Sequence, residues 1–142
     1  MTNSGNNRQL PQSVRLNNPG NIRQSRQSFK GEVNHWRQKE FKEFVDEEYG
    51  FRALKRVLKT YIYEHGLDTI EKIIYRYAPP KDKNPTEKYI AFVCNETHIA
   101  RDEKLKYTPM KIVPIMVAIA RFEAGYLPEG WMHAAAVSWD MK

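Results

Sequence analysis

Two periodicities divide this chain. From Asn21 to about Val45 the apolar residues fall in short runs, NIRQ, SFKGEV and KEFKEF, separated by polar stretches. Such runs predict short strands, and Phe41 and Phe44 break strict alternation, so a bend or bulge is expected between them. From Asp46 onward the spacing lengthens. In DEEYGFRALKRVLKTYIYEHG the apolar positions Leu54, Val57, Leu58, Tyr61 and Ile62 recur at three and four. That is one helical stripe, opened by an acidic first turn and closed by Gly66.

The same formula repeats downstream. Asp68 or Thr69 can cap a helix whose Ile70, Ile73, Ile74 and Tyr77 face inward, and Pro79-Pro80 stops it. In NPTEKYIAFVC, Asn84 can cap, Pro85 suits the first helical position, and Glu87 sits three after the cap as in a capping box. TPMKIVPIMVAIARFEAG has Thr108 as cap, Pro109 at the first position and Gly125 at the end. Pro114 is expected to bend that helix or delay its regular start. The predicted fold class is α+β: a small irregular antiparallel sheet near the N-terminus, followed by four or more helices. No internal repeat is visible.

Composition narrows this picture. A chain of 142 residues with 41% hydrophobic and 12% aromatic content can bury one core, so a single domain over residues 15–142 is expected. Residues 1–14, MTNSGNNRQLPQSV, carry too little apolar material to offset the entropy of ordering and read as a flexible polar tail. Cys94 stands alone, so no intrachain disulfide is available, and its neighbours Phe92 and Val93 suggest a core thiol. No apolar run is long enough to span a bilayer, and the N-terminus lacks the hydrophobic stretch of a signal peptide. The protein is expected to be made in the cytoplasm, so a target outside it requires another means of delivery.

The net charge of +6 implies attraction to polyanions: nucleic acid, anionic lipid or an anionic cell wall. KRVLK and the interspersed tyrosines fit an amphipathic helix as well as a basic interface, and nucleic acid is not the expected partner. His35, His65, His98 and His133 are scattered without ligand spacing, so neither a metal site nor a cofactor is expected.

Three stretches can carry chemistry. Glu123 lies two residues before Gly125, in the last turn of an otherwise apolar helix. The negative end of the helix dipole and an apolar neighbourhood both disfavour its charged form and raise its pKa. A carboxylic acid kept protonated is what cleavage of a glycosidic bond needs to protonate the leaving oxygen; the plainer alternative is a surface glutamate paired to Arg121. In RLNNPGNIR, Pro19-Gly20 marks a turn. Its Asn17, Asn18 and Asn21 can cap local backbone or hydrogen-bond sugar hydroxyls and acetamido groups, with Arg23 in support. In IIYRYAPPKDKNPTEKYI, Tyr75, Tyr77 and Tyr89 can stack on sugar faces or pack in the core.

RLNNPGNIR, then GFRAL, RYAPP, NPTE and the following YI, in this order, resemble a family of phage-associated lysozyme-like domains. The family is similar to the cell-wall-lytic virion protein of enveloped double-stranded RNA phages, and the match covers roughly residues 15 to 125. The resemblance implies a lysozyme-like fold acting on peptidoglycan as a lytic transglycosylase or muramidase, with one glutamate as general acid and then base. It also implies delivery by a virion or injection apparatus, or action on the wall at lysis. The tyrosines, Tyr77 first, and the asparagines would position the glycan. Goose-type lysozymes and lytic transglycosylases place their helix-ending glutamate before the active-site hairpin. Here the hairpin comes first and IARFEAG follows, so a circularly permuted arrangement supplying Glu123 is expected. Glu32, in SFKGEV, is the competing acid and Glu43 a weaker third. The alternatives are a virion domain that keeps the fold without turnover, and a peptidoglycan endopeptidase.

Overall fold

The computed structural model describes residues 10–33 and 39–142; residues 1–9 of the polar tail and His35 lie outside them. The fold is α+β. A four-residue helix α1 (Gln12–Arg15) leads into the Asn-rich turn. A two-stranded antiparallel sheet follows, β1 (Glu32–Val33) and β2 (Glu43–Phe44), with Glu32 opposite Phe44 and Val33 opposite Glu43. One further antiparallel bridge joins Arg23 to Phe41. Then come α2 (Glu47–His65), α3 (Ile70–Tyr77), a 3₁₀ turn (Pro80–Asp82), α4 (Thr86–Thr97), α5 (Pro109–Ala124) and α6 (Trp131–Trp139).

The helix boundaries follow local chemistry. The Asp46 side chain accepts from Tyr49 N to open α2, and Gly66 closes it in the left-handed region at φ 66°. Thr69 caps α3 by accepting from Lys72 N. The capping box expected at Asn84 does not form, because that side chain is drawn elsewhere. Asn84 Nδ2 donates to Pro79 O at 3.0 Å, Pro85 takes the cap position, and Glu87 turns outward to Arg101 and Tyr75. Helix α5 runs through Pro114 without interruption. The N–H that Pro114 lacks would have served the carbonyl of Met110, which sits on the exposed first turn where water can replace it.

Residues 10–14, expected in the flexible tail, belong to the fold. The carbonyl of Pro11 accepts from Val14 N and Arg15 N, Ser13 is buried, and Val14 packs on the main core. That core lies between the helices and contains Phe51, Leu54, Leu58, Ile73, Ile90, Ile115 and Trp131. The C-terminal segment packs on the core: Trp131 meets Phe51 edge to face at 5.7 Å. A small second cluster of Phe29, Phe44 and Ala53 lies under the sheet.

The Asn-rich turn is docked directly onto α2. A Cβ at Gly50 would overlap the backbone oxygen of Asn17 and lie 2.6 Å from Pro19 Cδ. Gly50→Ala is therefore expected to push the turn off the helix and destabilise the protein by about 1–3 kcal/mol. Gly66→Ala, with open space around it, meets only the strain of its left-handed backbone. Urea denaturation of both variants checks the difference.

Candidate functional site

Between the Asn-rich turn, the loop to β1, and the 75–84 segment lies a cleft of about 710 Å³. Asn21, Arg23, Tyr75, Arg76 and Tyr77 line it, and Glu123 forms part of its wall. Glu123 reaches the cleft from the last turn of α5, which Gly125 ends at φ 86°. Asn21 comes from the other side, on a left-handed backbone at φ 49°. Its amide N–H donates to Asn18 O at 2.9 Å, which fixes the turn that aims its side chain.

Both oxygens of the Glu123 carboxylate are held. Asn21 Nδ2 donates to Oε1 at 2.8 Å, and the Tyr89 hydroxyl donates to Oε2 at 2.7 Å. Tyr89 is buried on α4, and its ring stacks on Phe122 with centroids 3.9 Å apart. Burial raises the pKa of Glu123 above the usual carboxylate value, while the hydrogen bonds from Tyr89 and Asn21 pull against it. Burial also pushes the Tyr77 and Tyr89 hydroxyls well above the ordinary phenol range, and the charge of Glu123 adds to it. Both phenols therefore stay protonated as donors. Arg121 does not neutralise Glu123; its guanidinium pairs with Glu96 at 3.2 Å.

Tyr89→Phe removes one of the two donors that favour the anion. The pKa of Glu123 is expected to rise further, because the remaining hydrogen bond from Asn21 opposes the same burial alone. Carbon-13 titration of the Glu123 carboxyl in the two proteins measures the direction.

The other predicted site residues divide by position. Asn18 is fully buried, and its side chain ties the turn together: Nδ2 donates to Ile22 O and Lys42 O, and Oδ1 accepts from Ile22 N. Asn17, at φ 52°, donates to Phe44 O at 3.1 Å. These two amides serve the backbone, the capping alternative of the sequence, and only Asn21 of the three lines the cleft. Arg23 lies on the rim, 4.7 Å over the Phe41 ring and 3.4 Å from Glu40. Tyr77 donates its hydroxyl to Gly20 O, and a Cβ on Gly20 would collide with the Tyr77 hydroxyl oxygen. Tyr75 is exposed on the rim and donates to Glu87 at 2.5 Å.

Glu32 is outside the cleft lining. Its carboxylate accepts from Lys42 Nζ at 3.0 Å and from Phe29 N at 3.1 Å. The Lys42 side chain is completely buried and donates also to Gln27 O. This pair holds the loop before β1 against β2. Glu43 sits on β2 opposite Val33.

Tyr89 takes the core alternative of the sequence, buried against Phe122, and its hydroxyl bond to Glu123 is what sequence reasoning missed. No local pattern separates a tyrosine whose hydroxyl meets a carboxylate from one that only packs. The close approaches at Gly20 and Gly50 had a signal in Gly50, which stands inside a helical stripe where glycine weakens the helix. Among the described residues no cluster of His, Cys, Asp or Glu is arranged to hold a metal ion.

No family model matches the chain. Over 95 residues it is 42% identical to Protein P5 of Pseudoalteromonas phage PM2. The chain is similar to a phage protein. The alignment takes in 65% of this chain and 59% of the phage protein, so it spans less than two thirds of that relative's own length. No helix of the described residues is long and apolar enough to cross a membrane.

Proposed function

We propose that the protein cleaves the glycan strand of peptidoglycan, as a lytic transglycosylase or muramidase, with Glu123 as the acid that protonates the leaving oxygen and the base that follows. The observation that carries this reading is a half-buried carboxyl of raised pKa on the wall of a cleft sized for a saccharide, without a cationic partner among the described residues. The resemblance of RLNNPGNIR and the segments after it to lysozyme-like phage domains supports the same reading. So does the meeting of Asn21 with Glu123, which fits a permuted order of hairpin and acid helix.

The chain's own residues supply the proton handling. With Glu123 ionised, Asn21 Nδ2 and the Tyr89 hydroxyl donate to its two oxygens. Asn21 Oδ1 is buried and has no donor among the described residues. When Glu123 takes up its proton, rotation of the Asn21 amide presents Oδ1 as the acceptor. Tyr89, buried, holds Oε2, whereas Oε1 is bonded to Asn21, which lines the cleft. Oε1 is then the oxygen that hands the proton to the glycosidic oxygen. Tyr61, Tyr75 and Tyr77 line the cleft and offer ring faces to the sugar. A basic surface favours approach to an anionic wall.

Purified sacculi incubated with the protein test this directly. Release of anhydro-muropeptides identifies a transglycosylase and release of reducing muropeptides a hydrolase; cleaved peptides identify an endopeptidase and overturn the proposal, as does no release. A virion component without turnover is the second reading. It is favoured by the engagement of both Glu123 oxygens within the chain itself, which is also how a purely structural carboxylate is held. Delivery by a virion, or access at lysis, fits the phage likeness under either reading.

A further inference from the structure

A second concavity lies on the far side of α2. Val57 and Tyr61 face the cleft, whereas Lys55, Arg56 and Lys59 line a groove of about 260 Å³ shared with Tyr107, Trp139 and Met141. At about 100° per residue these two sets fall on opposite sides of the helix. Lys142 completes the groove, and no acidic side chain lines it. Burial, with the charges of Arg52 and Arg56, lowers the pKa of Lys55, and the charge of Asp140 opposes that shift.

The cations here have different duties. Lys55 is buried and donates to Ser138 O, Trp139 O and Met141 O, at 2.7, 3.1 and 2.8 Å, so it closes the carbonyl end of α6. Arg52 Nε and Lys30 Nζ both hold Lys142 O. Arg56, Lys59 and the Lys142 ammonium are exposed and have no carboxylate partner among the described residues.

Beside these free cations runs a strip of aromatic side chains. Tyr63 meets Tyr107 at 5.7 Å, and Tyr107 meets Trp139 at 4.9 Å. Tyr63 is 65% exposed, and Met110, three residues beyond Tyr107, is 84% exposed. The rings are tilted to one another rather than parallel, and Lys55 and Lys59 stand over Trp139 and Tyr107. Trp139 and Tyr107, each with a lysine over its ring and tilted to the other, are poor platforms for stacked nucleobases, which require open faces. An exposed tyrosine on the same helix face as an arginine and a lysine without carboxylate partners suits the headgroup layer of a bilayer, where aromatic rings sit at the interface and cations meet lipid phosphates.

We propose that this face docks the protein on a membrane rich in anionic lipid, with one phosphate headgroup seated between Arg56, Lys59 and Lys142 and with Tyr63 and Met110 entering the interface. The cleft on the opposite side of α2 then points away from the bilayer. This docking is independent of whether the cleft turns over glycan, and its test uses no enzymatic readout.

The full chain is sedimented with vesicles of equal parts phosphatidylglycerol and phosphatidylcholine, and with vesicles of phosphatidylcholine alone. Binding is expected to the anionic vesicles, falling with added salt, and not to the neutral ones. The double substitution Arg56→Glu with Lys59→Glu is expected to weaken it by at least about tenfold, given the attraction of each cation near an anionic surface. Tyr63→Ser, which changes no charge, weakens it as well, and Lys81→Glu on the cleft rim leaves it within about twofold. Thermal melts establish that each variant is folded. Equal binding by the double variant or to neutral vesicles overturns the proposal. Preference for a single-stranded oligonucleotide, or full competition by inorganic phosphate, overturns it in favour of a nucleic-acid or free-anion site.

Discussion

Glu123→Gln is expected to lower the release of fragments from sacculi by at least about a hundredfold while leaving the protein folded. Glutamine keeps the shape of the side chain and can still bond Asn21 and Tyr89, but it cannot give or take the proton. Loss on that scale is the ordinary cost of removing a general acid. Mass spectrometry of the soluble products measures it. Full activity in the variant would remove Glu123 from the chemistry.

The same substitution has an opposite effect on stability, and its sign follows from the raised pKa. The folded protein holds the Glu123 proton at pH values where the unfolded chain has released it. That stabilisation is complete below the unfolded pKa and is lost as pH rises through the folded one. Above that interval the wild-type protein carries a desolvated anion that the variant lacks. Glu123→Gln is therefore expected to gain stability relative to wild type as the pH is raised, as read from urea midpoints at a series of pH values. An inactive variant that is more stable at neutral pH separates a functional carboxylate from a structural one.

Glu32→Gln should behave in reverse. Its carboxylate is the acidic partner of Lys42, whose side chain has no exposure to solvent. Neutralising one member of a buried pair strands the other, and a loss of about 3 kcal/mol is expected. For a chain of this size that corresponds to a melting temperature lower by about 10 °C. The fraction that remains folded should retain its activity per molecule, since Glu32 does not line the cleft. Calorimetry and a sacculus assay well below the melting point measure the two halves. Loss of activity without loss of stability would restore Glu32 as the competing acid.

These two carboxylates also mark where sequence reading succeeds and where it stops, since Glu32 was read as a competing acid and is the partner of Lys42. The environment of Glu123 was legible because it depends on near neighbours: an apolar helix, its last turn, and the glycine that ends it. Gly66 and Thr69 were legible for the same reason, since caps are local, whereas Asp46 was read only as part of an acidic first turn. The partner of Glu123 was less so. Asn21 lies 102 positions away, and Tyr89 differs from any core tyrosine only in what its hydroxyl reaches. Asn17 and Asn18 show the limit most plainly. The amide chemistry that suits a sugar also suits an unpaired carbonyl, and only the fold reveals that Phe44 O and Lys42 O are within reach. Lys42 and Lys55 were hidden because lysines in a mixed sequence read as solvated, and burial comes from distant segments.

The clasp between Asn21 and Glu123 has a consequence for synthesis. Residue 123 leaves the ribosome long after the turn that meets it, so a growing chain can shape one wall of the cleft well before it owns the carboxyl. Any chemistry performed by that carboxyl is withheld until α5 has emerged and docked.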